Sequence, residues 1–425
     1  MSQNRPLLAL ASLLLLPSWQ EPAEPAAAPT TGRSYLRLDE DAGGLELKLA
    51  VRTLRAERSG APSTTVSLVS VMHVAEARYF DALAELLDGF DVVLFEQVGG
   101  RVALPDGAQA EPWSERSLWQ ATHRRLASMV ASMQSHHDWT GEASADLDEL
   151  IAEASSARAA ARMRRAAVDA WGRELQLGAA EEEGELVAWA VSLGADGAVG
   201  GEGLDADLRL DTADLALAGA GEDGLQQAFA DALGLVFQLQ GIDYTGAQWR
   251  NSDMSVEELT ALLDEGGDES GLLATLGGSS LIARFAGGLL KFVGSTREGR
   301  GMLKILGVEV LARADQLLSA PPPGFENLFE ILIERRNRVV LDDLSAVLTD
   351  EPEVRSVAVL YGAGHMAALE AALVENLGLE LVEERWFLAV DLRFEDTGLP
   401  TSMIRMLRST LKKQLDSQLG AADGR

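Results

Sequence analysis

The chain contains no cysteine among its 425 residues. This absence excludes disulfide bonds, thiolate ligands for metals and a cysteine nucleophile, and it leaves the redox compartment open. Basic residues are also scarce, because 36 Lys and Arg face 66 Asp and Glu and give a formal net charge of −30. A protein that binds the phosphate backbone of nucleic acids needs a basic surface, so this charge balance disfavours nucleic-acid partners.

Long apolar runs are missing as well. The amino-terminal run Leu7–Leu16 holds ten residues, whereas a helix that spans a bilayer needs about 20. A short apolar run behind the basic Arg5 is typical of a secretory signal, and Pro17 with the Pro/Ala-rich stretch after it favours this interpretation over a buried helix. We therefore expect residues 1–34 to be a signal peptide or signal anchor plus linker, and the protein to be exported to the periplasm, the cell envelope or the extracellular space.

The remaining chain has the composition of a globular protein, with 47% hydrophobic and 24% charged residues. Near its start, Val66–Met72 is an apolar, β-branched stretch that ends at His73. A helical period follows over Ala75–Leu87, and Asp91–Glu96 is a second apolar strand. A strand, a helix and a strand in this order predict a βαβ unit with parallel strands.

The same pattern returns near the carboxyl end. Ser356–Tyr361 is a predicted buried strand, and the sequence Gly-Ala-Gly-His over Gly362–His365 follows it. Met366–Asn376 has helical composition, and Leu379–Glu383 and Trp386–Leu392 are predicted strands. Both histidines therefore stand just past the end of a strand and just before a helix.

These two units predict an α/β fold with a mostly parallel central sheet over residues 35–396, interrupted by a large helical insertion at about 110–330. Within the insertion, Glu185–Leu193 has helix-forming composition. Ser255 and Glu258 have the spacing of a capping box, which predicts the start of a helix.

Residues 397–425 are predicted to be a basic amphipathic helix and tail. Met403–Leu415 places Arg405, Arg408 and Lys412 on one side of this helix. Such a face suits either peripheral contact with acidic lipid or packing against this acidic protein, and we favour packing.

Three side chains that carry chemistry are expected at one edge of the sheet. His73, Glu96 and His365 each follow a predicted strand, and ligands of parallel sheets collect beyond the carboxyl ends of the strands. Two imidazoles and a carboxylate are a recurrent ligand set for Zn²⁺, Mn²⁺, Fe²⁺ or Co²⁺. A metal bound there would polarise a carbonyl and activate water. The alternative is that each histidine only bonds the backbone, but the repeated placement with Glu96 favours a site.

Arg336 and Asn337 are the next candidates. They follow an apolar helix face and precede the second strand–histidine unit. An arginine in this place binds a carboxylate or stabilises an oxyanion, or it is a structurally paired cation. The remaining histidines are interpreted as surface residues, namely His123, His136 and His137.

In this order and strand context, the residues resemble the TraB/GumN family. That family lies within a superfamily that includes the TIKI metalloproteases, PrgY-like proteins, and the erythromycin-esterase and ChaN-like proteins. The resemblance is carried by the strands that end at His73 and Glu96, by Arg336-Asn337 and by Gly362–His365. Two further segments resemble the GumN-type branch, Ile242-Asp243-Tyr244 and Asp253-Met254-Ser255.

The resemblance implies an α/β core whose active centre combines two GxxH motifs with one glutamate. In the TIKI branch this centre is associated with divalent-metal-dependent peptide cleavage. Carried over, His73 and His365 would be metal ligands or acid/base groups, and Glu96 a ligand or general base. Arg336 and Asn337 would position the substrate or support the fold.

One residue departs from the family pattern, because Ser70 stands where the first GxxH motif has glycine. Three hypotheses remain open. The leading one is an exported, metal-dependent, peptidase-like hydrolase that uses Zn²⁺, Mn²⁺ or Co²⁺ to cleave a peptide or a related amide or ester bond. The second is a hydrolase that uses histidine as a base on water without metal. The third is a non-catalytic protein that binds and sequesters peptides, as proposed for the TraB/PrgY type.

Overall fold

The computed structural model describes residues 34–57, 62–97, 104–154, 156–182, 185–218, 233, 235–265, 296–313 and 329–423. All but the last residue of the predicted leader, 1–34, lies outside these ranges. Within them, no helix combines the length and the apolar character needed to cross a membrane.

The described strands and helices follow one another in an order close to the predicted one. The strands are β1 (Leu36–Glu40), β2 (Gly44–Ala56), β3 (Thr64–Val71), β4 (Val74–Ala75), β5 (Val92–Phe95), β6 (Gln176–Glu182), β7 (Glu185–Ser192), β8 (Leu208–Asp211), β9 (Val236–Phe237), β10 (Trp249–Asn251), β11 (Ser356–Gly362) and β12 (Glu380–Arg393). The helices are α1 (Ala77–Leu87), α2 (Trp113–Thr140), α3 (Leu147–Ala152), α4 (Ala157–Ala166), α5 (Thr212–Ala218), α6 (Gln238–Gly241), α7 (Val256–Glu265), α8 (Arg297–Leu311), α9 (Arg336–Asp350), α10 (Ala363–Leu377) and α11 (Thr401–Asp423).

The central sheet joins the two ends of the chain. Strands β3, β11, β5 and β10 lie side by side and run parallel, with β11 between β3 and β5. Strand β2 is antiparallel to β3 and β1, and its other edge pairs with β12 over nearly its whole length. The predicted α/β fold is therefore confirmed, and the two strand–histidine–helix units interlock within one sheet.

Helices cover both faces of this sheet. Neighbouring residues of β3 point to opposite sides, so Leu68 packs in the cluster beneath α9 and α10, while Val69 packs in the cluster beneath α1 and α8. Both faces are buried, which explains why the strand is apolar along its length. Each fully buried aliphatic side chain in these clusters contributes about 1.5–3 kcal/mol to folding.

The insertion contains a second sheet as well as helices. The helix predicted over Glu185–Leu193 is wrong, because β7 occupies this segment and pairs antiparallel with β6 and β8. Alternate residues over 186–192 are buried, the period of two expected of a strand. Gly178 on β6 leaves room for the indole of Trp189, since an added Cβ would lie 2.3 Å from that ring.

The predicted capping box begins α7. The Ser255 N–H donates to Glu258 Oε2 at 2.8 Å, and the Glu258 N–H donates to Ser255 Oγ at 3.1 Å. Two amides that the helix leaves unpaired are thereby satisfied. The prediction of a helix start at this place is confirmed.

The basic face of α11 is turned partly inward. Arg408 Nε donates to Glu309 Oε1 at 2.6 Å, and the two Nη atoms of Arg408 donate to the carboxylate of Glu40 at 2.6 and 2.7 Å. Ile404 and Leu411 of the same helix are buried. Packing against the acidic protein accounts for Arg408, and contact of the helix with acidic lipid stays a prediction.

Candidate active site

Polar residues follow the parallel strands at one edge of the sheet. His73 comes after β3, His365 after β11, Glu96 after β5 and Asp253 after β10. Because these four strands are parallel neighbours, their carboxyl ends meet at the same edge. The order β3–β11–β5 is the arrangement under which the three predicted site residues come from adjacent strands.

The Glu96 carboxylate is held by two donors from distant parts of the chain. Its Oε1 accepts from Arg336 Nη2 at 2.7 Å, and its Oε2 accepts from the Gly362 N–H at 2.6 Å. A Cβ placed on Gly362 would lie 3.2 Å from that Oε2. Glycine at the end of β11 therefore allows the carboxylate to approach the backbone closely.

His365 lies in the first turn of α10, where its ring is fixed by Asn337. The Asn337 oxygen Oδ1 lies 2.7 Å from His365 Nδ1, and because an amide oxygen only accepts, Nδ1 carries the hydrogen. The Asn337 Nδ2 donates to the His365 carbonyl at 3.5 Å, which supports this amide orientation. His365 Nε2 is then the unprotonated nitrogen of the neutral ring, and it lies 3.7 Å from Glu96 Oε1.

The charges of this site depart from those of the free side chains. Burial by itself raises the pKa of Glu96, but the opposite charges of His365 and Arg336, the Gly362 N–H and His73 outweigh it and lower the pKa to about 2. Burial lowers the pKa of His365 below its ordinary 6.5, and Arg336 and His73 act in the same direction against the raising effect of Glu96. At neutral pH the site thus pairs a carboxylate with a neutral imidazole.

Arg336 joins Glu96 to a second, fully buried carboxylate. A π-helical segment, Glu330–Arg335, runs directly into α9 at Arg336. The guanidinium donates through Nε and Nη2 to Asp253 Oδ1 and Oδ2 at 2.9 and 2.7 Å, besides its bond to Glu96. Although burial opposes the charge, hydrogen bonds to Asp253 and the charge of Glu96 raise the pKa of Arg336. The carboxylates that Arg336 binds are the protein's own.

His73 occupies a different position from His365. It is exposed just beyond β3, and its carbonyl accepts from the Gln238 N–H at 2.7 Å. Its ring is near enough to affect the pKa of both Glu96 and His365. His73 is thus the exposed member of the three predicted residues, whereas the side chains of His365 and Glu96 are largely buried.

Ser70, the departure from the first GxxH motif, is used inside the sheet. Its hydroxyl donates to the carbonyl of Ala50 on β2 at 2.6 Å, and its own carbonyl accepts from the Tyr79 hydroxyl at 2.7 Å. The residue is fully buried. Its side chain is therefore committed to a neighbouring strand.

The other histidines lie away from this site, whereas Asp253 belongs to it although the sequence does not predict its contact with Arg336. His123 and His136 lie on α2, where His123 stacks on Trp119 and His136 Nδ1 lies 2.7 Å from Glu153 Oε2. The sequence indicates Asp253 only through the resemblance of Asp253-Met254-Ser255 to the GumN-type branch, and it does not predict the ion pair of Asp253 with Arg336. Strand β10, which precedes Asp253, is only three residues long (Trp249–Asn251) and contains no apolar run.

The contacts of Glu96 bear on the metal site predicted from His73, Glu96 and His365. In the described ranges, no group of three or more His, Asp or Glu side chains is placed to hold a metal ion. Both Glu96 oxygens already accept hydrogen bonds, one from the cationic Arg336, whose charge would repel a divalent ion at close range. The set as arranged does not fit a metal ion, and the assignment of His73, Glu96 and His365 as ligands stays a prediction.

Comparisons of the chain with protein-family models, with curated proteins and with solved structures found no match.

Proposed function

We propose that this protein is a hydrolase that cleaves an amide or ester bond, with His365 as the general base and Glu96 as its charged partner. The observation that carries the proposal is the geometry of the two groups. A neutral imidazole has its Nδ1–H held by Asn337, and its free Nε2 faces a carboxylate 3.7 Å away. A base of this kind accepts a proton from water, and the carboxylate stabilises the imidazolium that forms.

The roles of the surrounding residues follow from their contacts. Arg336 and the Gly362 N–H hold Glu96 ionised and in place, so the carboxylate enters the reaction already charged. Asp253 balances the second side of the guanidinium. His73, exposed near this pair, is suited to position the substrate.

The proposal keeps the resemblance to the TraB/GumN family and, among the three hypotheses, favours the metal-independent hydrolase that resembles relatives of the erythromycin-esterase type. Support for this choice comes from the two hydrogen bonds that already occupy Glu96. Export remains part of the proposal, since the signal-like stretch of residues 1–34 is its basis. The alternative, a reaction that depends on a metal held by His73, Glu96 and His365, is decided by chelation.

A panel of p-nitrophenyl esters and aminoacyl p-nitroanilides tests the proposal. We expect the wild-type chain to hydrolyse members of the panel equally well before and after exhaustive treatment with EDTA or 1,10-phenanthroline. His365→Gln should lower kcat about 100-fold to 10,000-fold, the usual contribution of a general base. His123→Gln, a change on α2, serves as the control and should keep wild-type activity.

The other outcomes distinguish the alternatives. Activity that chelators abolish and Zn²⁺, Mn²⁺ or Co²⁺ restores would replace this mechanism by the metal-dependent one. Tight binding of peptides without turnover, unchanged in His365→Gln, would identify a sequestering protein and end the proposal of hydrolysis.

A further inference from the structure

Hydrolysis of a carbonyl compound requires a hydrogen-bond donor for the carbonyl oxygen, and Arg336 does not supply it. When water adds to the carbonyl carbon, negative charge develops on the carbonyl oxygen, and a preorganised hydrogen-bond donor stabilises it. Arg336 was one candidate for this role. Its guanidinium, however, is directed at Glu96 and Asp253, and the Gly362 N–H is directed at Glu96 as well.

Tyr244 lies beside the same edge of the sheet. Its ring packs against Phe95, the residue before Glu96, with centroids 5.0 Å apart, and against Trp249 at 4.9 Å. The side chain is half-buried. Burial raises the pKa of Tyr244, the bond from Gln238 opposes this, and the charge of Glu96 raises it further. The phenol therefore remains protonated at neutral pH and lies within electrostatic range of Glu96.

Gln238 determines the direction of the phenol proton. Its Nε2 donates to the Tyr244 hydroxyl oxygen at 2.9 Å, so the hydroxyl proton is directed away from Gln238 and is available to another acceptor. The Gln238 N–H also donates to the His73 carbonyl at 2.7 Å, which ties this pair to the strand end that carries His73.

The Gln238 side chain is held at a cost. It is 5% exposed, and its Oε1 is buried without a hydrogen-bond partner within the described chain. A buried acceptor without a partner destabilises the folded protein. Within the described residues, the one side-chain hydrogen bond of Gln238 is its bond to the Tyr244 hydroxyl.

We propose that Tyr244 is a catalytic residue of the hydrolase, that its hydroxyl donates a hydrogen bond to the oxygen of the scissile carbonyl, and that Gln238 is a positioning residue for it. The inference rests on the proposed function. It also defines the substrate class, since the bond cleaved must carry a carbonyl oxygen that accepts this hydrogen bond.

These groups account for every bond and proton that changes in the proposed hydrolysis. His365 Nε2 takes a proton from water while the water oxygen bonds to the carbonyl carbon, and the π electrons move to the carbonyl oxygen beside Tyr244. When the tetrahedral intermediate collapses, the C–N or C–O bond breaks. The imidazolium then returns its proton to the departing nitrogen or oxygen, which leaves a carboxylic acid and an amine or alcohol.

The test compares p-nitrophenyl acetate with its thiono analogue, in which sulfur replaces the carbonyl oxygen and accepts hydrogen bonds poorly. In the full-length wild-type chain we expect kcat to be much higher for the oxygen ester. Tyr244→Phe keeps the packed ring and should lower kcat for the oxygen ester about 100-fold with little change in KM. The thiono ester should be affected far less, so the ratio of the two rates collapses.

Two further variants separate catalysis from structure. Tyr79→Phe removes the same atom from a buried tyrosine whose hydroxyl bonds the Ser70 carbonyl, and it should keep the wild-type oxygen-to-sulfur ratio. Gln238→Leu keeps the Tyr244 hydroxyl but removes the hydrogen bond that fixes its orientation. This variant should reduce the oxygen-to-sulfur rate ratio about tenfold. This second variant keeps the test decisive if Tyr244→Phe proves unstable.

The failures are distinguishable. A wild-type chain that hydrolyses neither the acetates nor any member of the ester and anilide panel overturns the proposed function and this inference together. An active wild-type chain whose oxygen-to-sulfur ratio is the same in Tyr244→Phe and Gln238→Leu overturns the role of Tyr244 alone and leaves the roles of His365 and Glu96 standing.

Discussion

Arg336 and Arg408 each hold two carboxylates inside the protein, yet only one of these clusters has the properties of a site. Arg336 binds Glu96 and Asp253 at the edge of the sheet, and Arg408 binds Glu40 and Glu309 between α11 and α8. Both guanidinium groups are about nine-tenths buried. Burial and ion pairing alone therefore do not separate a catalytic centre from a structural clamp.

The two clusters differ in whether a group that can exchange a proton lies beside the ion pairs. In the Arg408 cluster, Glu309 accepts from Arg408 through one oxygen and from Arg313 through the other, so cations satisfy both oxygens. Beside Arg336, in contrast, Glu96 faces His365, whose Nε2 keeps a free lone pair. An adjacent group that is able to exchange a proton is the feature that distinguishes the site.

The largest expected effect is the loss of stability when Arg336 or Arg408 is replaced. Arg336→Met removes the cation that binds both Glu96 and Asp253, whereas Arg408→Met leaves Glu309 with Arg313 alone. Breaking a buried ion pair costs about 3–5 kcal/mol in the free energy of unfolding. Arg408→Met should lie at the lower end because Glu40 is about half exposed. Urea titrations measure both losses. Only Arg336→Met should also abolish hydrolysis, and equal residual activity in the two variants would remove the distinction drawn between the clusters.

The second effect is on acid stability. Folding lowers the pKa of Glu96 from 4.5 to about 2, so its charged form stabilises the protein fully above pH 4.5 and this contribution is lost as the pH falls toward 2. By linkage the contribution is about 3 kcal/mol. The difference in unfolding free energy between wild type and Glu96→Gln should therefore be large at pH 7 and shrink at pH 3. A difference independent of pH would contradict the assigned charge.

A smaller effect is expected at Gly362. In Gly362→Ala the new methyl group would lie 3.2 Å from Glu96 Oε2, so the carboxylate must move by a few tenths of an ångström. We expect a loss of about 1 kcal/mol in stability and a fall of roughly tenfold in kcat, in line with the sensitivity of catalysis to small displacements. Gly89→Ala is the matched control, since its Cβ would meet only the Leu86 carbonyl at 3.5 Å. Wild-type kinetics for Gly362→Ala would show that close approach is not required.

The smallest effect is a shift in the titration of His365. Because burial lowers its pKa below 6.5, the neutral ring is favoured by folding, and its contribution to stability is present above pH 6.5 and lost as the pH falls below that value. The rate kcat/KM should rise with pH through a midpoint below 6.5. NMR titration of the ring, assigned by comparison with His365→Gln, checks this directly. A midpoint at or above 6.5 would contradict the environment described.

Much of the sheet was predictable from the sequence because its central strands are buried on both faces. The apolar stretches before His73 and Glu96 and before Gly362 were each predicted within two residues of β3, β5 and β11. The parallel pairing that follows from the strand–helix–strand order brings their ends together. The candidate residues at this edge were predictable for the same reason.

The prediction failed where local composition is ambiguous or the signal is short. Alanine and leucine in Glu185–Leu193 suit a helix, and only the pairing with β6 and β8 makes the segment a strand. Strand β10 has three residues, too few for a recognisable period, so Asp253 was not placed beside Arg336. The roles of Asn337 and Tyr244 depend on side-chain hydrogen bonds, which spacing along the chain does not specify.

The position of β11 has a consequence for how the protein is made. Strands β3 and β5 are separated by a strand that is synthesised more than 250 residues later, so the sheet keeps a gap until Ser356–Gly362 has been added. Contacts so far apart in sequence form slowly. His365 and the Gly362 N–H arrive with that same strand. A nascent or truncated chain therefore lacks the pairing of Glu96 with His365, and the proposed hydrolysis would begin only when folding is complete.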